Sequence, residues 1–253
     1  MKRAFTLAGS TTHTALENTQ HKTAFTLTEV LITLGIIGVV AAMTMPSLVA
    51  NHRRKVVETR LAKFYSTINQ AIQMAEAEYG DKTTWDVLEN GFNQDEDGND
   101  TTPKSLEWFN KYLKPYLNLT KSEFDGNSDS KILAYFPDGS LAMISGSTIV
   151  FYPQAKDYEL LENDDKLVRN SDNCGTKYFT FFFSPWSNSA NNKYHYQKGV
   201  EPYLRNWDGT EEMLRNDSAL GCKKDAVSNE RAYCTALIQM NGWKIPKDYP
   251  LRF

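Results

Sequence analysis

The chain is poor in the residue types and spacings that most enzymes and metal sites need. It has four histidines and three cysteines, and His195 is the only histidine beyond His52. It contains no C-x-x-C, H-E-x-x-H, G-x-S-x-G or phosphate-binding glycine loop. We therefore predict no enzymatic activity, no zinc site and no cofactor, with His195 as a packed or surface residue. A catalytic carboxylate pair among the acidic residues stays open as the enzymatic alternative.

An excess of charge of either sign is also missing. The chain has 28 Lys and Arg against 31 Asp and Glu, which gives a net charge of -3 and a pI near 5.9. This balance lacks the basic footprint of a nucleic-acid-binding protein. The hydrophobic content of 41% and aromatic content of 12% are those of a globular protein. A length of 253 residues suits one substantial domain with an appendage.

A long apolar run from Phe25 to Ala50 stands out against this ordinary composition. As a helix these residues would extend about 39 Å, enough to cross a hydrocarbon core of roughly 30 Å. Glu29 lies near the start of the run, where insertion of a charge costs about 2.5 to 3.5 kcal/mol. Either a partner charge offsets this cost or Glu29 reaches back to the membrane interface.

The residues from Ala24 to Leu31, AFTLTEVL, resemble the N-terminus of type IV prepilins and type II secretion pseudopilins. The resemblance implies that residues 1–24 are a leader. A prepilin peptidase would cut between Ala24 and Phe25 and methylate the new amino group of Phe25. It also implies that Glu29 pairs with the Phe25 amine of another subunit during assembly. Two positions differ from the family pattern: Ala24 replaces the usual glycine, and Thr28 replaces an aliphatic residue.

The same resemblance implies an α+β, pilin-like fold with a long N-terminal helix packed against a small antiparallel β-sheet head. Residues 25–50 would form the transmembrane half of the helix, and 51–80 its amphipathic half. Apolar residues from Val56 to Ala75 recur at helical spacing, and Gly80 is a plausible stop. We expect a kink or break around Gly35, Gly38 and Pro46, which the resemblance links to unwinding in filaments. A plain kinked membrane helix is the alternative.

The globular head should occupy residues 81–253. Four β-rich runs, KILAYF, SLAMIS, STIVFY and KYFTFFF, predict strands of an antiparallel meander. Short helices are expected over Trp85–Leu88 and Leu106–Leu117, and another over NERAYCTALIQM, which ends at Asn241-Gly242. The polar, aromatic stretch from Ser184 to Gly209 is expected to form surface loops.

Cysteines and acidic residues suggest two further sites. Cys222 and Cys234 bracket a short polar loop, and a disulfide between them would hold the C-terminal loop, as in many pilins. Cys174 would then be a thiol or pair elsewhere.

The stretch NQDEDGND resembles half of a calcium loop, with Asp95, Asp97 and Asn99 as candidate ligands. Lys104 stands where the bidentate glutamate of that loop would fall, so we favour a solvated turn and predict no metal.

The leading hypothesis is a structural subunit of a type IV pilus or type II secretion pseudopilus. Its implied partners are the prepilin peptidase, other pilin-like subunits, and an inner-membrane assembly platform with its ATPase. It would cross the inner membrane once, with the C-terminal domain outside the cytoplasm, before it enters a pilus or periplasmic pseudopilus. The basic residues after the span oppose this orientation: Arg53, Arg54 and Lys55.

Two other hypotheses stay open. The first is a minor-pilin adhesin or binding module that contacts a surface, a sugar or DNA through aromatic loops around Tyr194, Tyr196, Tyr203 and Trp207. The second is a membrane-anchored enzyme whose anchor is not cleaved. Loss of the leader separates the enzyme hypothesis from the other two.

Overall fold

A 53-residue helix, α1 (Leu27–Tyr79), begins the part of the chain that the computed structural model describes, residues 26–89, 91–125, 131–158, 173–226 and 231–253. The leader, Ala24 and Phe25 lie outside these residues. The chain divides into two units, one that ends at Pro46 and one from Ser47 to Phe253. Helix α1 ends at Tyr79, and Gly80, the predicted stop, follows it with a φ of +80° that favours glycine.

The described elements follow α1 in a simple order. A hairpin comes first, then a helix, five successive strands, a two-residue edge strand and two short helices. Their bounds are β1 (Phe92–Gln94), β2 (Asp100–Pro103), α2 (Lys104–Tyr112), β3 (Lys121–Asp125), β4 (Lys131–Tyr135), β5 (Leu141–Ser145), β6 (Thr148–Tyr152), β7 (Phe179–Phe182), β8 (Glu201–Pro202), α3 (Glu211–Asn216) and α4 (Cys234–Met240).

Strands β3 to β8 form one six-stranded sheet in which every neighbouring pair is antiparallel and the strand order follows the chain. The predicted meander is therefore confirmed. Gly139, with φ of +79°, closes the β4–β5 turn, where its N–H donates to the carbonyl of Phe136 at 3.0 Å. Asp138 fixes the same turn by accepting from the N–H of Ser140 at 3.1 Å.

The second half of α1 supplies the core of the larger unit. Its buried residues recur every three or four positions, at Val57, Leu61, Phe64, Ile68, Ala71, Ile72 and Ala75. Phe64 stacks on Phe151 of β6, with ring centroids 4.3 Å apart, and meets Phe181 of β7 edge-on at 5.1 Å. Such contacts between large aromatic side chains anchor the helix on one face of the sheet.

The opposite face of the sheet is also apolar. Alternate residues of β4, β5 and β6 form a second buried cluster that includes Leu133, Met143 and Val150. These three residues face one another across the ladder, because Met143 is the register partner of both of the others. Strands β4, β5 and β6 therefore read as continuous apolar runs rather than alternating ones.

Several predicted elements differ from the structure. Trp85–Leu88 is not helical, because the single 3₁₀ turn lies earlier, at Lys82–Thr84, where Asp81 caps it. The helix predicted over Leu106–Leu117 starts at Lys104 and ends at Tyr112, followed by a 3₁₀ turn with Pro115 inside it. The predicted surface loop from Ser184 to Gly209 is partly interior, with the side chains of His195 and Val200 buried.

Candidate assembly site

The first turn of α1 carries a reciprocal capping arrangement. Thr26 precedes the helix, and both its backbone N–H (2.8 Å) and its hydroxyl (2.7 Å) donate to Oε2 of Glu29. In return the N–H of Glu29 donates to the hydroxyl oxygen of Thr26 at 3.2 Å. This is the T-x-x-E capping box, in which two otherwise unpaired donors at a helix start are satisfied. The T-x-x-E spacing of Thr26 and Glu29 is the sequence signal that identifies this box.

Glu29 is therefore only partly satisfied within its own chain. Oε2 accepts both bonds from Thr26, whereas Oε1 has no hydrogen-bond partner among the described residues. A carboxylate held by one oxygen presents the other in a fixed direction. That second oxygen is the atom that a cation from another molecule could reach. Phe25, whose amine is the expected cation, lies outside the described residues.

The first half of α1 is apolar around its whole circumference. Its large exposed side chains occupy successive positions rather than one stripe: Leu27, Val30, Leu31, Ile32, Leu34, Ile36, Ile37, Val39, Val40, Met43 and Met45. A helix that is apolar on all sides requires lipid or other protein around it. The most apolar stretch of α1 is long enough to cross a membrane, and none of it is buried within this chain.

Polar side chains within this stretch bond to the helix itself. The hydroxyl of Thr33 donates to the carbonyl of Val30, and that of Thr44 donates to the carbonyl of Val40, both at 2.9 Å. These bonds satisfy the hydroxyls without water, so both threonines are compatible with a hydrocarbon environment.

The structure does not contain the break that we expected at Gly35, Gly38 and Pro46. All three residues lie within the continuous helix α1. Pro46 removes one N–H donor, and the helix continues on both sides of it. Unwinding of this segment in an assembled filament stays a prediction.

Basic residues just beyond the apolar stretch bind the globular head. The helical spacing of the sequence places them on the polar sides of α1, away from its apolar stripe. Arg54 instead donates to the backbone carbonyls of Ile245 (2.7 Å) and Pro246. One turn later, Glu58 accepts from the N–H of Ile245 at 2.9 Å. The helix thus holds the C-terminal segment through charge-assisted bonds to its backbone.

Arg60 plays the same part on the sheet side of the helix. Its guanidinium donates to the carbonyls of Pro153 and Asp138, which follow β6 and β4. Lys63 adds an ion pair with the Asp138 carboxylate at 2.9 Å. The forked geometry of arginine lets one side chain bind two turns at once.

The predicted disulfide is confirmed. Cys222 and Cys234 are bonded, and they join the loop after α3 to the first residue of α4. Cys174 is a buried thiol outside this bridge. Gly175 lies directly against the bridge, since a Cβ added there would come within 2.6 Å of Sγ of Cys234. Together these residues attach the start of α4 to the segment before β7.

The candidate calcium residues form the turn of the β1–β2 hairpin. Oδ1 of Asp95 accepts from the N–H of Asp97 (3.0 Å) and of Asn99 (2.8 Å), and Oδ2 accepts from the Asn99 amide. These bonds lower the pKa of Asp95. Both carboxylate oxygens of Asp95 thus act within the turn, which supports the solvated turn over a cation site. Within the described ranges no three His, Cys, Asp or Glu side chains group as metal ligands.

His195 is fully buried beside the aromatic loops. The N–H of Leu204 donates to its Nε2 at 3.1 Å, and the ring meets Phe182 edge-on at 5.0 Å. Nδ1 has no hydrogen-bond partner in the described part of the chain. Burial, together with the charges of Lys198 and Arg205, lowers the pKa of His195 from 6.5 to about 4. The ring is therefore neutral at pH 7 and serves as a packed acceptor, as the sequence suggested.

The aromatic loops contact one another rather than present open rings. Tyr194 and Trp207 lie 4.6 Å apart, and Tyr203 packs edge-on against Phe182 at 5.6 Å. The indole N–H of Trp207 donates to the carbonyl of Thr210 at 2.7 Å. Because the rings are used in internal packing, this cluster gives little support to the adhesin hypothesis.

A polar cluster that the sequence did not reveal joins α1, β8 and α4. The hydroxyl of Tyr65 lies 3.2 Å from both carboxylate oxygens of Glu201, and Gln239 donates to the same carboxylate at 3.3 Å. Burial and the charge of Glu201 raise the pKa of Tyr65 to about 12, and burial raises the pKa of Glu201. These hydrogen bonds join α1, β8 and α4.

Two family models match the chain. One, described as a family of unknown function (DUF6613), matches residues 47–253. The other, the prokaryotic N-terminal methylation motif, matches residues 20–45. No curated protein and no solved structure matches the chain. The methylation motif spans the Ala24–Phe25 junction and the apolar half of α1, so the resemblance to prepilins is confirmed.

Proposed function

Because this chain belongs to DUF6613, a family of unknown function, and carries the N-terminal motif of type IV pilin-like precursors, we propose that it is a filament subunit. The filament is a type IV pilus or a type II secretion pseudopilus. The precursor is cut between Ala24 and Phe25 by a prepilin peptidase, which also methylates the new amine. The mature subunit then assembles through α1.

The observation that carries this proposal is the state of Glu29 at the start of an apolar helix. A carboxylate in hydrocarbon is costly, and the capping box uses only one of its oxygens. Cleavage before Phe25 creates a cation four residues from Glu29 in every subunit. Pairing of that amine with Oε1 of a neighbour would offset the cost and set the axial register between subunits.

The remaining apolar surface of α1 suits the same role. In the membrane its side chains contact lipid, and in a filament they contact the helices of other subunits. Assembly therefore exchanges one apolar environment for another at little net cost. An assembly platform with its ATPase would supply the work of extraction from the inner membrane, with the globular head outside the cytoplasm.

Intact-mass measurement of the membrane-extracted protein tests the processing step. Expression in a host with a prepilin peptidase should give a chain that lacks residues 1–24 and carries one added methyl group. Expression in a strain without the peptidase should give the full-length chain. A full-length chain in both strains would contradict the proposal and favour an uncleaved membrane anchor.

A charge-neutral substitution of Glu29 tests the assembly step. Glu29→Gln keeps an oxygen that can accept from Thr26, so the capping box and membrane insertion should survive. Loss of the charge should reduce filament yield by more than about tenfold, because a partner amine would then be left unpaired. Sheared filaments quantified by immunoblot against total membrane protein give the yield.

Thr28→Ala is the matched control, because Thr28 is an exposed neighbour in the same helical turn. This variant should assemble normally. Equal filament yields from Glu29→Gln and the wild-type chain would refute the pairing with Phe25, whereas equal losses in both variants would point to damage to the first turn of the helix.

A further inference from the structure

The β1–β2 hairpin carries an asparagine acceptor sequence of the form N-x-T. Asn99 directly precedes β2, and Asp100 and Thr101 begin that strand. This pattern is the acceptor for N-linked glycosylation in exported proteins. Asp97 adds a carboxylate two positions before the asparagine, which can form a charge-assisted bond with a cationic enzyme. The stretch that resembles half of a calcium loop therefore suits a different chemistry.

The acceptor sequence is accessible on the surface of the head. Every residue from 94 to 102 is exposed. The side-chain amide of Asn99 donates to Oδ2 of Asp95 at 3.2 Å, and the hydroxyl of Thr101 donates to the carbonyl of Asn93 at 2.9 Å. Hydrogen bonds at an exposed surface exchange for bonds to water or to another protein with little net change in free energy. The two side chains that a transferase must bind can therefore be released.

The hairpin can also change its backbone conformation without disturbing the main sheet. Strands β1 and β2 form a separate two-stranded sheet, and their register shifts between Phe92 and Gln94. A two-stranded hairpin is only marginally stable in water. Gly98, with φ of +81°, precedes Asn99 and has conformations open to it that other residues avoid. The chain around Asn99 can therefore leave the hairpin and enter an active site.

The sequence has two other N-x-T/S patterns, residues 118–120 and 216–218, and both are held by larger elements. The N–H and the hydroxyl of Thr120 donate to the carbonyl of Tyr135 in the six-stranded sheet. Asn216 is the last residue of α3, and its amide donates to Glu212 at 2.7 Å. An uncharged residue stands two positions before each of these asparagines. The hairpin is therefore the best acceptor of the three.

We propose that Asn99 is the acceptor of an N-linked oligosaccharide, which a membrane-bound transferase takes from a polyprenyl diphosphate donor. The amide nitrogen of Asn99 attacks the anomeric carbon of the first sugar, and the bond from that carbon to the diphosphate oxygen breaks. The diphosphate leaves with the bonding electron pair, and the amide nitrogen loses one proton to a base of the transferase. The hydroxyl of Thr101 binds the transferase during this step. The proposal rests on a head outside the cytoplasm, as in the proposed function, but on neither leader cleavage nor filament assembly.

Glycopeptide mass spectrometry of the full chain, purified in detergent from membranes of its native cells, tests the proposal. Trypsin separates the three acceptor sequences, because Lys104 and Arg215 lie between them. Fragmentation of each peptide assigns any added sugar to asparagine or to threonine. Thr101→Val removes the hydroxyl but keeps a branched side chain that suits a strand, and Thr101→Ser is the matched control that keeps the hydroxyl. Alkaline phosphatase fused to Phe253 reports in the same cells whether the head is outside the cytoplasm.

We expect sugar on Asn99 in the wild-type chain and in Thr101→Ser, at an occupancy at least tenfold above that in Thr101→Val. Sugar on threonine or at the other two acceptor sequences instead of Asn99, or equal occupancy in Thr101→Val, would overturn the proposal. An unmodified wild-type chain with an active phosphatase fusion would also overturn it and would leave the proposed function standing. An inactive fusion at normal expression would contradict both.

Discussion

Asn69 of α1 makes both backbone hydrogen bonds of Val200, the residue before β8, which a neighbouring strand would otherwise make. Its side-chain amide donates to the carbonyl of Val200 at 2.9 Å and accepts from the N–H of Val200 at 3.0 Å. The adjacent Gly199 is required by this arrangement, because a Cβ there would lie 1.9 Å from Oδ1 of Asn69. A single amide thus sets how closely the chain before β8 approaches the helix.

We expect Gly199→Ala to lower the free energy of unfolding by about 2 to 3 kcal/mol, since the added methyl must displace Asn69 and break its bonds to Val200. Urea unfolding followed by tryptophan fluorescence measures the change. The same substitution in an Asn69→Ala background should cost much less, because the clash is gone. Additive effects in this double-mutant cycle would contradict the steric explanation.

His195 makes the stability of the head depend on pH. Because its pKa is lowered from 6.5 to about 4, the unfolded chain binds the proton more tightly than the folded one. The contribution of His195 is complete above pH 6.5 and declines as the pH falls towards 4. By pH 4 the loss should approach about 3 kcal/mol, measured as the change in urea unfolding free energy from pH 7.

His195→Gln separates this effect from the titration of carboxylates. Glutamine can still accept from the N–H of Leu204 but does not titrate. The variant should therefore lose about 3 kcal/mol less than the wild-type chain between pH 7 and pH 4. Parallel pH profiles for the two proteins would show that His195 does not control the acid sensitivity.

At the scale of elements, the disulfide fixes where α4 starts. The bridge spans 12 residues and encloses the 227–230 segment. Closing a loop of this length should stabilise the head by roughly 3 kcal/mol in the chain-entropy treatment. Reduction with dithiothreitol should therefore lower the urea unfolding free energy of the wild-type chain by about that amount.

The double variant Cys222→Ala, Cys234→Ala should start at this lower stability and show no response to reductant. Cys174→Ala, which removes the buried thiol outside the bridge, should keep the full response. A reductant response in the double variant would mean that Cys174, its only cysteine, forms a disulfide between two chains.

The sequence predicted the elements with strong periodicity and missed those that depend on distant partners. Helix α1 and strands β4 to β7 are long apolar patterns, and they were placed within two residues. Strand β3, KSEFD, is polar because it lies at the edge of the sheet, so no apolar alternation identified it. Strand β8 has two residues and depends on neighbours such as Asn69, more than one hundred positions away in sequence.

The candidate site was predictable to a similar degree. Its motif residues, Ala24 to Glu29, occur together in sequence and could be recognised there. The roles of Arg54 and Arg60 could not, because their partners are backbone carbonyls of segments far along the chain. An amphipathic pattern separates apolar from polar positions but does not distinguish a solvated arginine from one that binds a turn.

At the scale of the whole molecule, these arginine contacts bear on membrane orientation. The positive-inside rule would place Arg53, Arg54 and Lys55 in the cytoplasm. Two of these three side chains bind the head, through Asp157 and the carbonyl of Ile245, so their positive charge has a structural use that is independent of the side of the membrane. The methylation motif requires its leader in the cytoplasm, and we therefore expect the C-terminus to face away from the cytoplasm despite the basic residues.

Fusion of alkaline phosphatase to Phe253 measures this orientation, because the phosphatase needs disulfides that form only outside the cytoplasm. The fusion should be active, and a green fluorescent protein fusion exported by the same route should be dark. Adding three lysines to the leader should leave the active fraction of the phosphatase fusion unchanged or increase it. An inactive phosphatase fusion at normal expression would place the head in the cytoplasm.

The strand order of the sheet has a consequence for the time course of maturation. Since each strand from β3 to β8 pairs with the next one along the chain, the head can fold stepwise on α1 as successive residues become available. Cys234 follows the described strands along the chain, so the bridge to Cys222 can close only after those strands have been made. A subunit that folds without enough oxidant would still form its sheet but would lack the disulfide that holds the start of α4.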